Sequence, residues 1–364
     1  MNDEPKQRRK ARLIAFYLPQ YHPVEENDLW WGKGFTEWTV VSGAKPLFAG
    51  HHQPNIPADL GYYDLRLPEA RAAQAGLAKE HGIEGFCYWH YWLGDGRRLL
   101  ERPFEEVLSS GQPDFPFCLG WANHSWKGVY FGAMGRTLVE QTYPGRQDHI
   151  DHFNAVVRAF KDGRYLTVDG KPLFYIFNPG EIPDLRGFTD LWRDLARGAG
   201  LPGIYFVGQG AELGSIDKMG VDAVTDTRHR VVEQLWPPSS YLRRALSLYR
   251  KLLNQPSIFS YARGMCYFLD RGAAAPGHHP VIVPNWDTTP RLGRRGVVLQ
   301  GSTPELFREH VREVLELVSQ KRWEERIVFI RSWNEWGEGN YLEPDQKHGL
   351  GYLQALKAEV ACER

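Results

Sequence analysis

Short apolar runs recur along the chain, and most are followed by a stretch with helical spacing. Runs at 13–18, 83–92, 115–121, 172–177, 203–207, 221–226, 281–284 and 327–330 read as strands, the sixth being the weakest. Between them, 68–81, 99–108, 148–161, 190–197, 305–319 and 350–360 read as helices, the first stopping at Gly82. The strands lack a polar face, which is the pattern of a parallel sheet covered by helices on both sides. Eight such repeats in a chain of 364 residues predict the α/β class, as a (β/α)8 TIM barrel rather than an open doubly wound sheet. No Gly-x-Gly-x-x-Gly or Walker A sequence follows the first strand, which counts against a nucleotide fold. Residues 1–11 are expected to be a disordered tail, and 12–364 one catalytic barrel with an insertion at 231–277 after strand six. Within the insertion, 241–253 forms a basic amphipathic helix without acids. It either packs its leucines on the barrel or meets a membrane surface or an anionic, lipid-linked glycan.

Barrel enzymes carry their chemistry at the C-terminal ends of the strands. In this chain aromatic and polar residues cluster there after strands one, two, three, seven and eight. The densest block follows the eighth strand: Trp333-Asn334-Glu335-Trp336-Gly337-Glu338-Gly339-Asn340-Tyr341. Two carboxylates three residues apart beside indole faces suit sugar chemistry, where one carboxyl is kept protonated and the other charged. Solvated surface acids are the plain alternative, which Trp and Asn between them make less fitting. Glu335 and Glu338 are therefore the candidate catalytic pair. Asp287, beside Trp286, either accepts a sugar hydroxyl, tunes the glutamates, or braces Arg291. Glu37, next to Trp38 in a long loop that also holds Trp31, is a further candidate sugar ligand. Tyr17, Tyr88, Trp89, Trp92, Trp121 and Trp126 complete the candidate aromatic surface, with Trp333, Trp336 and Tyr341. Asn123 and Asn334 are candidate amide donors or loop braces.

Composition narrows the partners. The 44 basic residues balance the 44 acidic ones, so no general attraction to nucleic acid exists. Aromatic residues make up 13% of the chain, with 13 tryptophans, and many of these sit beside polar residues at strand ends. Cys87, Cys118, Cys266 and Cys362 are scattered without metal or disulfide spacing. His22, His90 and His124 are candidate ligands to sugar hydroxyls; with His229 they come from different strand ends, but no His-x-His marks an early strand, so neither a metal nor another cofactor is expected. The charged N-terminus has no apolar signal core and no run is long enough to span a bilayer, so a cytoplasmic location is expected. The sequon Asn123-His124-Ser125 is then read as chance.

Three blocks stand out in the first quarter of the chain: Phe16-Tyr17-Leu18-Pro19-Gln20-Tyr21-His22, Trp31-Gly32-Lys33-Gly34-Phe35-Thr36-Glu37-Trp38 and Gly85-Phe86-Cys87-Tyr88-Trp89-His90-Tyr91-Trp92. Asn285-Trp286-Asp287-Thr288-Thr289-Pro290-Arg291 and Trp333 to Gly339 join them. Together, over roughly 12–355, they resemble the WbsX-type, glycoside hydrolase family 99-like proteins of bacterial polysaccharide gene clusters. The resemblance implies a barrel related to endo-α-1,2-mannosidases, acting on α-linked mannose-like glycans of surface polysaccharide with retention. It implies that Glu335 takes the proton of the sugar 2-hydroxyl, which then forms a 1,2-anhydro intermediate, and that Glu338 is the acid and later the base. Where the family's third-strand block reads Trp-Ala-Asn-Glu, this chain has His124, which puts an acid's role there in doubt. The alternatives are a glycosyltransferase of O-antigen or capsule assembly, and an inactive glycan-binding barrel.

Overall fold

The computed structural model describes residues 9–128, 135–210, 213–237 and 239–361. Its centre is a ring of parallel strands: β1 (Arg12–Tyr17), β2 (Gly85–Trp92), β3 (Phe117–Trp121), β4 (Lys171–Ile176), β5 (Tyr205–Gln209), β6 (Ala223–Thr225), β7 (His278–His279 with Val281–Ile282) and β8 (Ile327–Ile330). Each strand pairs with its sequence neighbour, and β8 returns to β1 with Ile327 opposite Arg12. Pro280 divides β7 because proline brings no N–H to the ladder. The first half of β7 pairs with β6, Val224 opposite His278, and the second half with β8, Val281 opposite Phe329. Counted as one strand, β7 closes the barrel.

The strands separate two apolar layers by their alternation. Inside the ring, Phe16 stacks on Trp89 at 4.6 Å and on Phe329 at 5.2 Å, with Tyr175 edge-on at 4.7 Å. Outside it, Trp192 of helix Leu185–Gly198 packs on Phe174 and Phe206. That helix begins five residues before the predicted start at 190. In the fold Gly187 N–H donates to the capping carboxylate of Asp184 at 2.9 Å, where a Cβ would clash with the cap. Helix Pro304–Val318 starts on proline behind the Thr303 cap and buries Phe307, Val311, Val314, Leu315 and Val318 along one stripe.

Of the expected tail, residues 1–8 lie outside the described residues, as does Cys362. Lys10 N–H already bonds to Val360 O at 3.0 Å, and Ala11 is buried. Between β6 and β7 the chain forms helices Val231–Leu235, Ser240–Leu252 and Tyr261–Phe268, and a strand at Ser257–Ser260 that pairs with Val297–Gln300. These elements share a small core of Val232, Phe259, Tyr261, Phe268, Trp286 and Leu299. The basic helix does not bury its apolar side chains: Tyr241 is 80% and Leu252 84% exposed, and Leu242, Leu248 and Tyr249 are exposed too. The expectation that its leucines pack on the barrel is corrected. Among the described residues no helix is long and apolar enough to cross a membrane.

Candidate active site

The block after β8 folds into a tight hairpin. Asn334–Glu335 pairs antiparallel with Asn340–Tyr341, and the tip, Trp336–Glu338, is a 3-10 turn. In 3-10 geometry residues i and i+3 lie on the same side, so Glu335 and Glu338 emerge together. Both line a cavity of about 400 Å³ at the C-terminal mouth of the barrel. Gly339 takes a left-handed φ of +53° to close the turn, and Gly337 leaves no room for a side chain. A Cβ at Gly337 would collide with Glu37 Oε1 and lie 2.8 Å from Arg291 Nε.

One guanidinium organises the acids. Arg291 Nη1 donates to Glu335 Oε1 at 3.0 Å and to Glu338 Oε1 at 2.8 Å, while its Nε donates to the fully buried Glu37 at 2.6 Å. Burial and then the Glu335 carboxylate push Glu338 up to about 7, against the opposing pull of Arg291 and Arg331. Glu338 can therefore carry a proton near neutral pH.

Trp31, Trp89, His124 and Trp126 also line the cavity. Burial holds His124 below the usual imidazole range, so it is uncharged at neutral pH. Tyr91, Gln20, Phe177, Thr288, Lys127 and Arg331 line it too, though they are not among the sequence candidates. Tyr91 was legible: it is two residues from Trp89 and so points the same way. Arg331 is the first residue beyond β8. Its guanidinium lies over the Trp286 ring at 5.7 Å, and its Nε is buried without a hydrogen-bond partner.

The other candidates lie outside this cavity. Tyr88, His90 and Trp92 have the opposite parity on β2 and face the helices. His90 Nε2 lies 2.9 Å from His152 Nε2, and Trp92 Nε1 donates to Asp148 at 3.1 Å. Tyr17 OH donates to Gln74, and Trp121 Nε1 to Trp92 O. Asn123 spends its amide on Asn178 and Tyr143. Asn334 is fully buried, its Oδ1 accepting from Leu18 N–H at 2.8 Å and its Nδ2 donating to Leu18 O at 3.0 Å. Trp333 packs on Phe86, Trp336 stacks on Tyr341 at 3.8 Å, and Trp38 Nε1 donates to Tyr63 O. His22 borders a separate small cavity, and Trp286 lies against His229.

Asp287 does not pair with Arg291. Its Oδ2 lies 2.7 Å from His51 Nε2 and accepts from Gln53, and its Oδ1 accepts from Thr289, while its own N–H donates to Glu338 O at 2.7 Å. It braces the Trp336–Glu338 turn from behind. Glu343, not a sequence candidate, does the same from below. Burial pushes it up to about 7, and it accepts from Trp336 Nε1 and Gln74 Nε2 at 2.6 Å and from Tyr63 OH at 2.9 Å. Among the described residues, no group of three or more His, Cys, Asp or Glu is placed to hold a metal ion.

The fold is similar to that of a glycoside hydrolase-like protein of known structure, with a TM-score of 0.61, 16% identity, and 98% of this chain and 96% of that one covered. It is also similar to the GH99 endo-α-mannosidase of Bacteroides thetaiotaomicron, with a TM-score of 0.54, 14% identity and 95% of each chain covered. In sequence it is 34% identical over 352 residues to the protein WxcX of Xanthomonas campestris pv. campestris, covering 95% of this chain and 49% of that protein. The chain thus spans about half the length of this curated relative. Residues 13–356 match the family model described as glycosyltransferase WbsX, and the chain belongs to that family.

Proposed function

We propose that the chain is a retaining carbohydrate-active enzyme that cleaves or transfers α-linked, mannose-like glycans of bacterial surface polysaccharide. What supports this most is the joint placement of Glu335 and Glu338 on one turn in one cavity, with Glu338 able to hold a proton near neutral pH. Glu335 takes the proton of the 2-hydroxyl as O2 bonds to the anomeric carbon. The glycosidic C–O bond breaks, and Glu338 gives its proton to the leaving oxygen. Water or an acceptor hydroxyl then attacks the anomeric carbon of the 1,2-anhydro sugar and loses its proton to Glu338, while Glu335 returns its proton to O2. Two inversions leave the configuration retained. Carboxyls whose environments differ divide acid from base work in this way, and the 2-hydroxyl replaces the carboxylate nucleophile of the usual retaining pair. Trp31, Trp89 and Trp126 supply flat apolar faces for the sugar rings. That a fold neighbour is an endo-α-mannosidase agrees with this substrate class.

A second reading, transfer from an activated donor, takes its support from the family's description as glycosyltransferases. The exposed apolar, acid-free helix Ser240–Leu252 is the surface through which the chain would meet a membrane or lipid-linked glycan. The test is to incubate the protein with α-mannosides and O-antigen fragments, with and without nucleotide- or lipid-linked donors, and follow products by mass spectrometry. Turnover of glycan alone, abolished in E335Q and E338Q, is the expected result. Product only with a donor favours transfer, and no product under any condition sinks both.

A further inference from the structure

We propose that Arg331 receives an anionic group of the substrate, so that the glycan bound in this cavity carries a carboxylate or a phosphate. The inference rests on the catalytic reading only in seating the substrate in that cavity. Arg331 is only 9% exposed, yet it lines the cavity mouth. Among the described residues its guanidinium makes no hydrogen bond and no ion pair, and its Nε has no partner. Its guanidinium lies over the face of Trp286. A buried cation without a counter-charge is costly, and protein interiors ordinarily pair such groups.

The contrast with Arg291 sharpens the point. Arg291 lines the same cavity and is bound by three carboxylates, Glu37, Glu335 and Glu338. None of them bonds to Arg331, although Glu338 is close enough to feel its charge. Among the described residues no other carboxylate pairs with Arg331 either. His229 packs on the Trp286 ring, buried and with neither ring nitrogen bonded. Tyr175, which also feels its charge, donates its hydroxyl to Gln209. Lys127 adds a third cation, beside Arg291 and Arg331, to the cavity wall. Guanidinium forks bind carboxylate and phosphate in bidentate fashion. Either a uronic acid unit of the glycan or the diphosphate of an activated donor would complete the site.

The experiment measures binding, so it does not depend on turnover. Wild type, R331Q and R331K are titrated calorimetrically with glucuronate and mannuronate, with inorganic pyrophosphate, and with mannose as the uncharged control, at constant ionic strength. Anion binding is expected to be at least about tenfold weaker in R331Q, the loss of one charge-assisted interaction. R331K keeps the charge without the fork and should fall between. Mannose affinity should not change. Uronate binding alone identifies a carboxylated glycan, and pyrophosphate binding alone an activated donor. No anion binding by wild type, or equal affinity in all three proteins, overturns the proposal. An inactive protein that binds anions through Arg331 would sink the catalytic reading and leave this one standing.

Discussion

Replacing Glu338 by Gln separates what the carboxyl does for chemistry from what it does to stability. In the fold its titration moves from an ordinary 4.5 to about 7, with burial the largest cause and Glu335 next. In the unfolded chain the ordinary value returns. Between these two values the native protein holds a proton that the unfolded chain has released, so stability falls as pH rises. The contribution is fully present below about 4.5 and is gone once the pH has passed about 7. At about 1.4 kcal/mol per pH unit, the window is worth about 3 kcal/mol. Glutamine has no proton to lose, and its Oε1 can still accept from Arg291. Relative to wild type, E338Q should therefore gain about 3 kcal/mol of stability between pH 4.5 and 7.5, then level off. Urea unfolding of both proteins at pH 5, 6, 7 and 8 gives the difference directly. A difference that is flat with pH, or that shrinks as pH rises, refutes the assignment of a raised carboxyl to this site. The same variant should have no turnover, as a stabilised and inactive protein.

Two further outcomes follow from the geometry. In G337A the new methyl group would displace Glu37 from Arg291, leaving a buried carboxylate badly paired. Unfolding free energy should drop by about 3 kcal/mol or more and activity should fall with it, whereas G180A, where a Cβ meets nothing, should change neither. For the helix Ser240–Leu252, sedimentation with phosphatidylglycerol vesicles should pull down wild type at low salt. High salt or the pair L242S and L252S should release it, and equal recovery with uncharged vesicles would sink the membrane contact.

The barrel was legible because its strands are buried on both faces and its helices carry regular apolar stripes. The half of β7 at His278–His279 was not, because Pro280 cuts it off from Val281–Ile282 and two residues are too short to register as a pattern. The strand Ser257–Ser260 was missed for a similar reason: it is four residues long and pairs outside the ring. At the mouth, the hairpin after β8 stood out by composition. On β2, residue type points to Tyr88, His90 and Trp92 beside Trp89, although a two-residue period admits only Trp89 and Tyr91. Glu343 carried no local signal, since its partners Tyr63 and Gln74 are brought to it only by the fold.

The bonds between Asn334 and the backbone of Leu18 join positions 316 residues apart. Arg291 likewise ties the turn after β8 to Glu37, near the start of the chain. The cleft thus has no precursor in any shorter stretch of polypeptide. Contacts of such long range are slow to form, because the loop they close must first be searched. Catalytic competence should therefore appear only with the last stage of folding. During synthesis a ribosome-bound chain whose last strand is still in the exit tunnel would have most of its barrel and no working site.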